Sequence, residues 1–89
     1  MNIVDMMWDL DAWYAYEATK TTNPRLHAEL TTRLAELAED HKRESLRRHR
    51  SHRPPVWRIP VKDDDEDWAI LWNEVDNEPA VLYVGLDPF

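Results

Sequence analysis

The sequence has no cysteine and only one glycine, Gly85. Without cysteine, the chain can build neither a disulfide framework nor a thiolate metal site. A single glycine excludes the glycine-rich loops that cradle phosphates, because such motifs need two or more. No apolar run approaches the roughly 18 residues that cross a bilayer, and the first ten residues are acidic, which argues against a signal peptide. These absences favour a cytoplasmic protein with no expected cofactor.

The chain of 89 residues is long enough for a single domain, expected to span residues 1–89. A domain of this size buries only about 60% of the surface that its unfolded chain would expose, so its stability margin is small. Five tryptophans, three tyrosines and one phenylalanine partly compensate, because each large ring buries much area.

Charge is distributed unevenly along the chain. Residues 41–58, hereafter the basic block, hold seven of the 11 lysines and arginines and one acid, for a net charge of +6. The segment before it has a net charge of −5 and the segment after it −8, which gives −7 for the whole chain. A basic block in an acidic protein indicates a partner: nucleic acid, an acidic protein or the chain's own acidic tail.

Two helices are expected in the first half. Helical apolar spacing predicts the first helix over residues 5–19, with Asp5 as its cap. Asn23 as N-cap and Pro24 at the first helical position predict the start of the second. Leucines 26, 30, 34 and 37 then form a buried seam. Nothing breaks this helix before Pro54, so it is expected to run over 24–50, although the end of it, where the seam has faded, could be either a protruding basic arm or a loop.

The second half has the two-residue period of strands. Residues 56–61, 68–75 and 80–84 predict three strands, separated by an acidic turn and by the turn sequence Asp-Asn-Glu-Pro at 76–79. Pro60 cannot donate a ladder hydrogen bond, so the first of these strands is expected at an edge or bulged there. The sequence therefore predicts an α+β fold in which a two-helix antiparallel hairpin packs on a three-stranded antiparallel meander over 56–84.

The basic block supplies the candidate binding residues. If the second helix continues, three of its arginines recur at i, i+4 and i+7 and form one positive face, which suits phosphate binding. The alternative interpretation is internal, with positive charge at a helix C-terminus and pairing to the acids of residues 63–67. The candidates for nucleic-acid or partner binding are Arg43, Arg47, Arg48, Arg50, Arg53 and Arg58.

Other chemistry is weakly indicated. His49 and His52 are three residues apart, but the surrounding arginines disfavour a metal, and His27 is expected on the surface of a helix. The acids at 63–67 lack the ligand spacing and the glycine of a calcium loop. The tryptophans at 57, 68 and 72 are at strand spacing, which is more typical of core than of base stacking. No catalytic or metal-binding residue is assigned.

The order of elements resembles the RelE/ParE toxin superfamily of bacterial type II toxin–antitoxin systems. The resemblance covers residues 23–85 and lies in a pattern of elements and apolar positions rather than in a diagnostic motif. It is carried by NPRLHAEL at 23–30, VWRIPV at 56–61, WAILW at 68–72, EVDN at 74–77 and VLYVG at 81–85.

This resemblance implies a cytoplasmic toxin-like protein whose basic surface an acidic antitoxin segment covers. Of the family's functional positions, only Arg58 is matched here. If the protein were an enzyme it would be a ribosome-dependent mRNA endonuclease, but no basic residue follows Gly85 to stabilise a transition-state phosphorane. The family also opens with a strand, for which residues 1–4 are too short. We therefore expect a toxin or a catalytically weakened relative that binds RNA, DNA or an acidic protein.

The alternative is a non-enzymatic protein-interaction module of a phage or mobile element. Such a module would bind a host protein through its acidic surfaces. It would self-associate by pairing its basic block with the acidic tail of a second copy.

Overall fold

Two helices and a five-stranded sheet make up the protein in the computed structural model, which describes residues 1–47, 49–52 and 55–89. The helices are α1 (Leu10–Thr22) and α2 (Pro24–Glu39), and short 3₁₀ turns lie at Ile3–Asp5 and Glu44–Arg47. The strands are β1 (Met7–Trp8), β2 (His49–His52), β3 (Pro55–Asp63), β4 (Glu66–Val75) and β5 (Glu78–Leu86). In the described part of the chain, no helix is both long and apolar enough to span a membrane.

The strand order in the sheet is β1-β5-β4-β3-β2. Strands β3, β4 and β5 form the antiparallel meander that the sequence predicts. β1 pairs in parallel with β5, and β2 pairs antiparallel with β3. The α+β class is confirmed, but the expected number of three strands is wrong because a short strand is added at each edge.

The N-terminal segment is not helical from residue 5 as expected. A 3₁₀ turn and β1 occupy that stretch, and α1 begins at Leu10. Asp9 rather than Asp5 is the N-cap, since its side chain accepts a hydrogen bond from the Asp11 N–H at 3.0 Å. The extended conformation of β1 lets Trp8 pack edge-on against Trp13, with ring centroids 5.1 Å apart. This tertiary packing outweighs the helical apolar spacing.

The predicted junction between the helices is confirmed at Asn23 and Pro24. Asn23 accepts a hydrogen bond from the Leu26 N–H at 3.1 Å, and Pro24 occupies the first turn of α2. The Asn23 amide also donates to Asp63 Oδ2 at 2.8 Å. One side chain therefore caps α2 and ties the helix start to the end of β3.

The leucine seam of α2 forms the centre of the core, as expected. Its four leucines are each no more than 1% exposed. They pack against Ile70, Trp72 and Val81, which lie on one face of the meander. Burial of each leucine contributes about 1.5–3 kcal/mol relative to exposure, so this contact dominates the stability of the fold.

The second helix ends at Glu39, so the expected helix over 24–50 is wrong. Asp40 terminates it, and the Asp40 side chain accepts a hydrogen bond from the Lys42 N–H at 3.1 Å. The chain turns back because Leu46, the last apolar residue before the sheet, is buried in the second 3₁₀ turn at 3% exposure. A continued helix would carry Leu46 away from the core. The basic segment then enters the sheet as β2.

Strand β3 is not an edge strand along its whole length, because β2 covers its first part. The pairing with β2 stops at Arg58, and Pro60 lies beyond it and is exposed. At Pro60 the only ladder neighbour of β3 among the described residues is β4, with Ala69 as the partner, so β3 is at the edge of the sheet there, as expected. The register irregularity of the sheet lies instead at Leu71 and Trp72.

The predicted turn at residues 76–79 is a tight connection between β4 and β5. Asp76 and Asn77 have φ angles of 51° and 64°. Two consecutive residues in the left-handed region are typical of the two-residue hairpin turns that match sheet twist, and Asp and Asn tolerate this conformation better than most residues.

Candidate partner-binding surface

The basic block spans four different local structures. It starts in the turn after α2, continues through the second 3₁₀ turn, forms β2 and ends in β3. Arg43, Arg47 and Arg50 therefore do not share a helical face, and that expectation is wrong. The structure separates the block into arginines that are used within the protein and arginines that face outward.

Arg47 is held by contacts from several directions. Its Nε donates to the His41 carbonyl at 3.0 Å, and its Nη2 donates to Glu74 Oε2 at 2.8 Å. The guanidinium also lies over the Trp57 ring, 4.4 Å from the centroid. Such a stacked cation contributes about 0.5–2 kcal/mol, depending on how dry the contact is. Arg47 therefore fastens the 3₁₀ turn to the sheet.

Two basic groups lie next to one oxygen of Glu74. Besides Arg47, the His41 Nε2 lies 3.0 Å from Glu74 Oε2. Partial burial raises the pKa of the Glu74 carboxyl, but the hydrogen bond from Arg47 and the charges of Arg47 and His41 outweigh it, so the pKa lies below its ordinary value. We call Arg47, Glu74 and His41 the clamp.

The clamp is poorly suited to acid–base catalysis. The His41 Nε2 is buried, so a substrate atom cannot reach this nitrogen. A carboxylate whose pKa is lowered is also a weak general base. The His41 ring packs edge-on against Trp72, with centroids 6.2 Å apart. The clamp and its contact with Trp72 therefore stabilise the local structure.

Two stacked tryptophans pack against the arginines of the basic block. Trp57 and Trp72 stack with centroids 4.7 Å apart and an interplanar angle of 29°. Trp72 is fully buried, and Trp57 is half-buried beneath two guanidinium groups. Neither ring offers an open face to a nucleic-acid base, in agreement with their predicted role in the core.

Arg58 is used on the opposite face of the sheet from Trp57. It forms an ion pair with Asp87, whose side chain is 8% exposed. The Asp87 N–H also donates to the Asp67 carbonyl at 2.8 Å, which holds the segment after β5 against β4. The position that the resemblance marks as functional is therefore neutralised within the chain.

Arg50 is the outward-facing member of the set. It lies on β2 opposite Trp57, with its guanidinium carbon 4.9 Å from the centre of that ring. The residue is exposed, and among the described residues no carboxylate pairs with it. Arg43 is half-buried and likewise has no described carboxylate partner. The remaining two candidates, Arg48 and Arg53, lie outside the described residues.

The acids of residues 63–67 do not pair with the basic block within the described residues. Asp63 bonds to Asn23, and Asp64 lies 3.6 Å from Arg25 on the exposed surface. Internal neutralisation of the block occurs instead through Glu74 and Asp87. The sequence gives no signal for these pairs, because 27 and 29 residues separate their members.

His49 and His52, the pair considered as metal ligands, lie three positions apart on β2. Across residues 1–47, 49–52 and 55–89, no group of three or more potential ligands could hold a metal ion. His27 is not a free surface residue as expected: its ring stacks on Tyr16 and its Nδ1 lies 3.0 Å from Thr19 Oγ1.

Comparisons of the chain with protein families, with curated proteins and with solved structures find no match. The relationship to the RelE/ParE superfamily thus stays a prediction.

Proposed function

We propose that the protein is a RelE/ParE-like toxin, or a catalytically weakened relative of one, that acts in the cytoplasm by binding an acidic protein through its basic block. The element order supports this proposal. A strand precedes the two helices, and a meander follows them. The short β1 supplies the opening strand that residues 1–4 could not form.

Binding rather than catalysis is favoured by the residues present. The His41 Nε2 is buried in the clamp, and residues 86–89 contain no lysine or arginine. The acid among these four residues, Asp87, is paired with Arg58. Arg47 and Arg58, two groups that could stabilise a phosphorane, are therefore each paired with a carboxylate.

A protein partner is favoured over nucleic acid by the charges that remain. Phosphate binding draws on a row of unpaired cations, whereas Arg47 and Arg58 are each neutralised by a carboxylate. The net charge of −7 also repels a polyanion at long range. A short acidic segment needs only a few exposed cations, and arginine pairs with carboxylates in a two-pronged geometry.

The observation that carries the proposal is the exposed Arg50 guanidinium stacked on Trp57. The ring limits the conformations of the arginine side chain before any partner arrives, which reduces the entropy lost on binding. It also leaves the guanidinium edge available to a carboxylate.

Expression of the protein in a bacterial host tests this function. We expect the wild-type protein to slow growth and Arg50→Glu to relieve the effect. Arg25→Glu is the matched control. Arg25 lies outside the basic block, and its side chain is 81% exposed. Both variants change the net charge equally. A folded Arg50→Glu protein that slows growth as strongly as wild type would rule the proposal out.

Self-association is a second candidate, since the outer edges of the sheet differ in charge. β1 lies between Asp5 and Asp9, whereas β2 follows Arg47 and carries Arg50. Head-to-tail contact between copies would therefore be electrostatically favourable. Sedimentation across a salt series separates the two functions: oligomers that dissociate with salt support self-association, and a monomer at all salt concentrations supports a separate acidic partner.

A further inference from the structure

Helix α1 is apolar on its outward face as well as on its inward face. Seven of the nine residues from Leu10 to Ala18 are apolar or aromatic. Ala12 and Tyr16 are buried, whereas Leu10 is 62% and Tyr14 61% exposed. By contrast α2, all of whose residues the structure describes, exposes no large apolar side chain. A helix that is apolar all round is ordinarily buried all round, so the outward face of α1 indicates a partner.

The exposed apolar residues of α1 form one line along the helix. Leu10, Tyr14 and Ala18 are all exposed and recur at every fourth residue, so they lie on one face about one turn apart. We call these three residues the α1 stripe, which is about 12 Å long. Side chains four residues apart form the ridges by which helices pack against each other, so the stripe suits a helix laid along α1. Tyrosine is also enriched among the residues that dominate binding energy at interfaces.

The α1 stripe and Arg50 belong to different parts of the molecule. Helix α1 packs on β5, and the Asp9 N–H just before it donates to the Val81 carbonyl at 2.8 Å. Strands β4 and β3 separate β5 from β2, which carries Arg50. A partner on the α1 stripe therefore leaves Arg50 available.

The charges around the α1 stripe select a basic partner. Residues 1–22 contain four acids and one lysine, for a net charge of −3. Asp11 and Glu17 each lie three residues from Tyr14, one on either side, and therefore neighbour it on the helix surface. Both are exposed, and neither forms an ion pair within the part of the chain that the structure describes. A second α1 packed against this face would bring acids beside acids, which disfavours a symmetric dimer.

We propose that a second protein docks on the α1 stripe through a basic amphipathic helix. Its apolar side chains would surround Tyr14, and its lysines or arginines would lie beside Asp11 and Glu17. Binding of an amphipathic helix by its apolar face is a common mode of peptide recognition. The inference goes beyond the proposed function, which concerns an acidic partner at the basic block. With both surfaces occupied, the protein would hold two partners of opposite charge.

A synthetic peptide of about 18 leucines and lysines, with both ends blocked and leucine at helical spacing, is the probe. We expect calorimetry to show that it binds the full-length protein, and NMR to show shift changes at the α1 stripe. The same composition with strictly alternating leucine and lysine has the period of a strand, so it should bind at least about tenfold more weakly. The helical peptide with glutamate in place of lysine should not bind.

Variants of exposed residues test the surface without disturbing the core. Leu10→Ser and Tyr14→Ser should each weaken binding by at least about tenfold. Phe89→Ser is the matched control, because Phe89 is 63% exposed and lies after β5, and it should leave binding unchanged. Glu17→Lys should weaken binding by about fivefold. Glu44→Lys makes the same change of charge at an exposed residue of the second 3₁₀ turn and should have no comparable effect.

Equal binding by wild type, Leu10→Ser and Tyr14→Ser would overturn docking on the α1 stripe, and so would failure of the helical basic peptide to bind. Equal binding of the alternating peptide would overturn a helical partner. Sedimentation of the protein alone tests the other occupant. A wild-type dimer that becomes a monomer in Tyr14→Ser would show that a second copy covers the stripe, which would also overturn the proposal. The growth assay with Arg50→Glu reports on the proposed function separately.

Discussion

Arg47 donates a hydrogen bond to Glu74 across 27 residues of sequence, with 2.8 Å between Nη2 and Oε2. This contact joins the 3₁₀ turn, which precedes β2, to β4, the central strand of the sheet. The arginines of the basic block therefore have different roles. Arg47 stabilises the contact between the 3₁₀ turn and the sheet, whereas Arg50 is exposed and available to a partner.

Removal of Arg47 should destabilise the protein. We expect Arg47→Ala to lower the free energy of unfolding by about 1–3 kcal/mol, through loss of the contact with Trp57 and of the hydrogen bonds. Urea unfolding followed by tryptophan fluorescence measures this. Arg50→Ala is the control, since its exposed side chain should cost less than about 1 kcal/mol. Equal losses for the two variants would contradict the division of roles.

Acid should weaken the clamp. A carboxyl group whose pKa is lower in the folded state stabilises the protein above its ordinary pKa and loses that contribution as the pH falls through the folded-state value. For Glu74 the ordinary value is 4.5. We expect wild type to be more stable than Glu74→Gln near neutral pH, with a difference that shrinks below 4.5. Urea unfolding at a series of pH values checks this, and a difference that does not change with pH would be inconsistent with the clamp.

The leucine seam should dominate stability. Leu34 is fully buried, so we expect Leu34→Ala to cost about 2–5 kcal/mol. Leu10 is 62% exposed, and Leu10→Ala should cost less than about 0.5 kcal/mol. Thermal unfolding of the two variants provides the comparison. Similar melting temperatures would show that the seam does not form the core.

Asn23 should stabilise the protein through two contacts that can be removed separately. Asn23→Ala removes both the cap of α2 and the hydrogen bond to Asp63, and we expect a loss of about 1–2 kcal/mol. Asp63→Ala removes only the second contact, so its cost should be smaller. Denaturant unfolding of both variants tests the order. A larger loss for Asp63→Ala would argue against the capping role.

Local signals in the sequence were sufficient for much of the fold. The start of α2 at Asn23 and Pro24, the leucine seam and the antiparallel meander each depend on residues close together in the chain. The turn at Asp76 is of the same kind. In these segments, propensity, capping and apolar period all favour one structure.

The predictions that were wrong concern segments whose structure depends on contacts between residues distant in the sequence. Helical spacing over residues 5–19 misplaced the start of α1, because Met7 and Trp8 pair with β5. The absence of a helix breaker before Pro54 suggested one long helix, whereas burial of Leu46 turns the chain back. Periodicity alone does not reveal a strand that is only two or four residues long.

Only part of the candidate surface could be predicted from the sequence. The concentration of arginines predicts a candidate surface in this region, but nothing local assigns Arg47 to Glu74 or Arg58 to Asp87. In each pair, one member lies in a strand and the other lies outside it, in a segment distant in the sequence. The register of β2 with β3 places Arg50 beside Trp57, and unlike Arg47, which also lies over that ring, Arg50 has no carboxylate partner among the described residues.

Binding of an acidic segment through Arg50 is tested most directly by an NMR titration of the isotope-labelled protein with a peptide of alternating glutamate and valine, performed on wild type, Arg50→Glu and Arg25→Glu. We expect shift changes concentrated in residues 49–52 and at the Trp57 indole for wild type and Arg25→Glu, and their loss in Arg50→Glu. Shift changes that persist in a folded Arg50→Glu protein, or that map away from β2, would contradict it.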